Sequence, residues 1–175
     1  MAAPETQRLG SFAVAAAIIF AVSASAVAQP TNTAAPVAPR QEISLNPITT
    51  TFGWLNAEYE RRIDDTKTWG IAGSHFSFYD ASYGAVTGLF RYYPHAALRG
   101  FYIGGRVGVH RVAADGAAGS FLGAGPDIGY NWLLGARQNV GIGIGFGAMR
   151  IFGGDLHGAS FTIPTLRLVD VGIAF

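Results

Sequence analysis

Residues 140–148 read VGIGIGFGA, with an apolar residue at every even position and glycine at each odd position. Successive side chains of a β-strand point to opposite faces, so this strand has one apolar face and one nearly bare face. Glycine lowers the stability of a strand, and its repeated use needs a steric reason. The crowded interior of a narrow closed barrel supplies that reason.

Three segments before this stretch, residues 83–93, 101–112 and 119–132, repeat the period of two with polar residues on the second face. Each is about as long as a tilted membrane strand. Aromatic residues occur near the segment ends, as in interfacial girdles: Tyr92, Tyr93, Phe101, Tyr130 and Trp132. The polar faces carry Thr87, Arg91, Tyr102, Arg106, His110, Asp127 and Asn131, and we expect them to point into the barrel.

The C-terminal strand ends the chain on Phe175. Its alternation puts Asp170 on one face and Val169, Val171, Ile173 and Phe175 on the other. Such a strand resembles the signal that the bacterial outer-membrane assembly machinery recognises. A soluble protein that ends in a similar strand is the alternative.

Seven strands are predicted by the pattern, at residues 54–62, 67–79, 83–93, 101–112, 119–132, 138–151 and 161–175. Bacterial single-chain barrels have even strand numbers, so a strand is required before residue 54. Residues 42–49 are the candidate, interrupted by Asn46 and Pro47; one kinked strand over residues 43–62 is the alternative. The sequence therefore predicts an all-β fold, an eight-stranded antiparallel transmembrane β-barrel.

The N-terminal residues indicate export. Arg8 precedes an apolar run over residues 12–22, and Ala26 and Ala28 form a small-x-small cleavage site. We expect a signal peptide over residues 1–28, a flexible periplasmic arm rich in Pro, Ala and Thr over 29–41, and the barrel over 42–175, located in the bacterial outer membrane. An uncleaved membrane anchor is the alternative.

Composition excludes several classes of site. The chain has no cysteine, which excludes a lipoprotein anchor and thiolate metal sites, and its net charge of +1 gives no case for nucleic acid. His95, His110 and His157 lack metal-site spacing, and the dinucleotide-like glycines at 143–147 lie in a strand with no helix after it. We expect no cofactor and no metal; the expected partners are outer-membrane lipid and the assembly machinery, with the oligomeric state open.

Two short stretches resemble a family of small bacterial outer-membrane barrels of unknown function. They run from Leu45-Asn46-Pro47 to Glu58-Tyr59-Glu60 and from Arg91-Tyr92-Tyr93-Pro94 to Gly100-Phe101-Tyr102. The resemblance spans about residues 43–175 and implies an outer-membrane location and a small barrel. It implies no catalytic residues. More distantly, the chain is similar to the eight-stranded OmpA and OmpX type of barrel.

Charged residues on the inner faces must be paired, because isolated burial of an ion costs several kcal/mol. The predicted ion-pair network comprises Glu58, Glu60, Arg91, Arg106, Asp127 and Asp170. We interpret it as closing the interior of a non-enzymatic barrel with a structural or interaction role. A narrow pore for small solutes is one alternative.

A hydrolase is the other alternative, and it depends on His75 and Ser77. Two residues apart on a strand, they share a face near its predicted outer end. Outer-membrane lipid A deacylases use a similar His-x-Ser pair with an acid that orients the histidine. Residues 83–89 on the next strand contain no carboxylate, so the resemblance is limited to the pair.

Overall fold

The computed structural model describes residues 38–114, 117–153 and 161–175. The predicted signal peptide, its cleavage residues Ala26 and Ala28, and most of the predicted arm lie outside these residues. Within them, no helix has the length and apolar character needed to cross a membrane.

The fold is a closed barrel of eight antiparallel strands that pair in chain order, with the last strand beside the first. The all-β, eight-stranded prediction is confirmed, and the seven patterned strands end within two residues of their predicted bounds. The elements are β1 (Gln41–Leu45), α1 (Pro47–Thr51), β2 (Trp54–Arg62), β3 (Lys67–Phe78), β4 (Ala81–Tyr92), β5 (Gly100–Ala114), β6 (Ala117–Leu134), β7 (Val140–Phe152) and β8 (Phe161–Ala174).

The first strand is shorter than residues 42–49 and gives way to the helix α1. Asn46 caps this helix, because its side chain accepts a hydrogen bond from Thr49 N at 3.0 Å. Pro47 suits the first helical position, where no backbone N–H is needed. The alternative of one kinked strand over residues 43–62 is therefore wrong, and the predicted extension of the first strand to Thr49 is wrong as well.

Polarity is reversed relative to a water-soluble domain. Large apolar side chains are exposed on the outer surface of every strand, including Ile43, Ile71, Val86, Phe90, Ile103, Val107, Leu122, Phe146 and Ile173. Polar side chains are buried inside, including Glu42, Glu58, Glu60, Thr68, Arg91, His110, Asp127, Asn131 and Asp170. The period of two thus sorts the sequence into an apolar exterior and a polar interior.

A β-bulge interrupts the alternation in β8. Gly143 of β7 pairs with Asp170 and Gly145 pairs with Arg167, so two residues of β8 lie opposite one residue of β7. Arg167 and Asp170 consequently both point inward. Val169 lies in the bulge and is half-buried, whereas Val171, Ile173 and Phe175 are exposed on the outer face.

The turn between β2 and β3 is closed by Asp64, whose carboxylate accepts hydrogen bonds from the backbone N–H groups of Thr66 at 2.8 Å and Lys67 at 2.9 Å. These bonds favour the ionised form, and the bond from Thr66 N–H is the main reason that the pKa of Asp64 falls to about 2. This turn lies at the same end of the barrel as the start of β1 and the end of β8.

Glycine on the inner face makes room for one large side chain, Tyr102. A Cβ atom at Gly129 would lie 2.6 Å from Tyr102 Cζ and also clash with the carbonyl oxygen of Ile144, and one at Gly145 would lie 2.6 Å from Tyr102 Oη. Tyr102 has no exposed surface. The part of the bare face of β7 at Gly145 therefore makes room for this phenol ring.

We expect Gly129→Ala to destabilise the folded barrel by about 1–3 kcal/mol, because the new methyl group overpacks against Tyr102 and the backbone of β7. The midpoint of urea unfolding of the refolded protein is the measurement. Gly73→Ala is the matched control, since a Cβ at this outward-facing strand position meets nothing within 4 Å. Equal midpoints for the two variants would contradict the steric role of Gly129.

Candidate functional site in the barrel interior

Arg91 of β4 lies at the centre of the barrel interior and has no exposed side-chain surface. Its guanidinium contacts three carboxylates: Glu58 at 2.5 Å, Asp127 at 2.9 Å, and Glu60. The Tyr102 ring lies beside it, with its centroid 4.4 Å from Arg91 Cζ. One buried cation is thus neutralised by acids from β2 and β6.

Two further arginines extend this group. Arg106 Nη2 lies 3.0 Å from Glu58, and Arg106 Nε lies 3.1 Å from Asp127. Arg167 Nη1 lies 3.2 Å from Glu58, and the same guanidinium pairs with Asp170. Glu58 therefore contacts all three arginines. We call the connected set the interior cluster: Glu58, Glu60, Arg91, Arg106, Asp127, Arg167 and Asp170.

A second polar layer lies on the side of the interior cluster nearer the chain ends. Glu60 accepts hydrogen bonds from Thr68 and, at 2.9 Å, from the Tyr93 hydroxyl. Asn131 Nδ2 donates at 2.7 Å to both Glu42 and the carbonyl oxygen of Leu98. Tyr93 and Leu98 have no exposed surface. This layer fills the bore below the interior cluster.

A cavity of about 400 Å³ lies on the opposite side of the interior cluster. The cavity is lined by the aromatic side chains of Trp54, Phe76 and Tyr83 and by the aliphatic side chains of Met149 and Ile163. Members of the interior cluster, including Glu58, Arg106 and Asp170, form its floor. The interior is therefore divided into a charged, filled part and a mainly apolar, open part, which we call the cavity.

Polar groups in the cavity wall are largely paired with each other. Tyr83 Oη lies 2.8 Å from His110 Nδ1, and Trp54 Nε1 donates to Ser74 Oγ at 2.6 Å. The second ring nitrogen of His110, Nε2, is buried without a hydrogen-bond partner among the described residues. His110 thus belongs to the cavity wall and lies outside the network of ion pairs.

The structure brings the six predicted network residues together. Glu58, Glu60, Arg91, Arg106 and Asp127 are in direct contact, and Asp170 joins them through Arg167. Sequence reasoning missed Arg167, because strict alternation from Asp170 places it on the outer face. Strict alternation would place Arg167 on the apolar outer face and its neighbours Leu166 and Leu168 on the polar inner face. This mismatch was the available signal of a bulge.

His75 and Ser77 do not face the interior. Both are exposed on the outer surface of β3. The residues paired with His75 are Leu55 and Gly84, and Ser77 pairs with Ser82. None of these neighbours is an acid, so the register places no carboxylate beside His75 to orient it, as a hydrolytic triad requires.

Among the residues at 38–114, 117–153 and 161–175, no group of three His, Asp or Glu side chains is arranged to hold a metal ion. His157 lies outside this range. Comparison of the chain with protein-family models, with curated proteins and with solved structures gives no match.

We expect Arg91→Met to destabilise the barrel by about 3–5 kcal/mol, because it leaves buried carboxylates without their central partner. Urea unfolding followed by the gel mobility of unboiled samples gives the free energy of unfolding. Arg111→Met is the control, because Arg111 is exposed on the outer surface and its loss is expected to change stability by about 0.5 kcal/mol or less. Equal losses in the two variants would mean that the interior cluster does not stabilise the fold.

Proposed function

We propose that this chain is a non-enzymatic outer-membrane barrel with a structural or interaction role, its interior closed by the interior cluster. The observation that carries the proposal is the reversed polarity of the barrel. Water-soluble proteins rarely expose contiguous apolar patches of more than a few hundred Å². Here the exposed side of the strands is mainly apolar and the paired acids and arginines of the interior cluster are inside, which is the arrangement of a barrel surrounded by lipid.

Closure of the sheet supports the same location. A membrane interior offers no water to unpaired backbone groups, and a closed barrel satisfies them between strands. Exposed aromatic side chains collect near the barrel end that holds the chain ends, as an interfacial girdle does: Trp69, Phe90, Tyr92, Phe101, Tyr130 and Trp132. Outer-membrane lipid is therefore the proposed environment of the outer surface.

The interior cluster argues against a constitutive channel. An eight-stranded barrel has an interior just wide enough for side chains to fill it. The cavity ends on the interior cluster, and the layer of Thr68, Tyr93 and Asn131 fills the bore beyond it. A solute crossing this barrel would have to break several buried ion pairs. The hydrolase alternative has no support from the geometry of His75 and Ser77.

We expect the protein from purified outer membranes to migrate faster on gels before boiling than after it, because a closed membrane barrel resists detergent unfolding. N-terminal sequencing of the same band is expected to begin at Gln29, after removal of the predicted signal peptide. An intact Met1 in an inner-membrane fraction, or the same mobility before and after boiling, would overturn the proposed location.

We expect no sustained current when the folded protein is inserted into planar lipid bilayers, because the interior cluster blocks the bore. The recordings should remain silent for the wild type and for Arg111→Gln. Stepwise conductance that is present in the wild type and in Arg111→Gln but lost in Arg106→Gln would establish the narrow-pore alternative.

A further inference from the structure

One side of the barrel wall is built from a helix and a strand that are not hydrogen-bonded to each other. The short β1 pairs with β8 only at residues 171–174. Beyond Leu45 the chain turns into α1, so residues 161–170 of β8 have a strand neighbour only in β7. In this part of the wall α1 occupies the place where β1 would otherwise continue.

The helix α1 is attached to β2. Asn46 N donates to Asn56 O at 3.1 Å, and Asn56 Nδ2 donates to Thr49 Oγ1 at 2.9 Å. The other hydrogen bonds of α1 are made within the helix and its cap. Among the described residues, no hydrogen bond joins α1 to β8. We call this unbonded boundary the α1–β8 seam.

The cavity and the outer surface meet at the α1–β8 seam. Residues from both sides of the seam, including Thr49 of α1 and Pro164 and Leu168 of β8, line the cavity. Leu166 and Leu168 are also 60% and 49% exposed on the outside of the barrel. The seam therefore connects an apolar internal space with the apolar exterior, with only side-chain packing between them.

The chemistry of the cavity favours a hydrocarbon chain over water or a charged solute. Its walls are mainly apolar, and apolar cavities hold water poorly but accept apolar ligands. The charged side chains of the floor are already engaged in ion pairs with one another in the interior cluster. A volume of about 400 Å³ falls at the small end of the roughly 300–1,000 Å³ of small-molecule sites.

We propose that the cavity binds the hydrocarbon chain of a single-chain amphiphile, which enters from the bilayer through the α1–β8 seam. The chain packs against Trp54, Phe76 and Met149, gaining the van der Waals contacts that an empty cavity lacks. The polar head stays at the seam, beside the amide of Asn46 and the hydroxyl of Thr49. This inference rests on the proposed membrane location.

The test uses the mature protein in phospholipid bilayers and a fatty acid that carries a photoactivatable diazirine at the end of its chain. Irradiation followed by peptide mass spectrometry is expected to place label on the inward-facing residues Tyr83 and Met149. Ala85→Phe, which fills the cavity from β4, should lose this interior label. Ala124→Phe on the outer face of β6 should keep it, as the matched control.

A second fatty acid, with the diazirine beside the carboxylate, tests the route of entry. We expect it to label α1 and Leu168 at the seam. Label on the turn at Tyr79 and Asp80 instead would overturn lateral entry, because the head would then lie at the open end of the barrel.

The gel mobility of each unboiled sample separates the two proposals. Absence of interior label in wild-type protein that shows the faster band would overturn the binding site and leave the membrane barrel standing. Equal interior label in Ala85→Phe and in the wild type would also overturn it. Protein that shows no faster band and does not insert into bilayers would overturn the proposed function itself.

Discussion

The burial of the Arg91 guanidinium is the constraint on which the rest of the barrel depends. A charge without exposed surface must be neutralised by nearby acids, since the effective cost of burying an unpaired ion is several kcal/mol. Glu58 and Glu60 supply this neutralisation from β2, and Asp127 supplies it from β6. Neither β2 nor β6 is hydrogen-bonded to β4, because β3 and β5 lie between them. The ion pairs therefore act across the bore and fix the relative register of strands that share no backbone hydrogen bonds. A slip of one residue in any of them would turn its acids toward the outside.

The bulge in β8 has its origin in the same constraint. Glu58 is contacted by three arginines, and one of them, Arg167, lies three residues from its other partner Asp170. Regular alternation would put one member of that pair in contact with the apolar exterior. The extra residue in β8 allows both to face inward, at the cost of one disrupted position in the ladder. Electrostatics inside the bore is thus the physical reason for an irregularity in the wall.

The sequence alone predicts those strands in which the side chains alternate strictly between the inner and the outer face. Residues 54–62 were predicted and found as β2, and the inward positions of Arg91, Arg106 and Asp127 could be assigned from alternation alone. Arg167 was missed because a bulge shifts the period without leaving a turn residue to mark it. The helix α1 was missed because Asn46 and Pro47 signal that the strand is interrupted but do not identify the next element as a helix. The cavity was beyond sequence reasoning, because its volume depends on how side chains from different strands meet.

The division of the interior also explains how a narrow barrel can leave part of its bore unfilled. The interior cluster and the layer around Tyr93 and Asn131 close the bore at one end. Packing of the other end is then not needed to keep the barrel shut to solutes. That end can carry small residues such as Ala72 and Ala85 beside aromatic ones, and the space between them remains open. Since β1 is replaced there by α1, the open part of the bore lies beside a part of the wall where β8 has no strand partner on the α1 side.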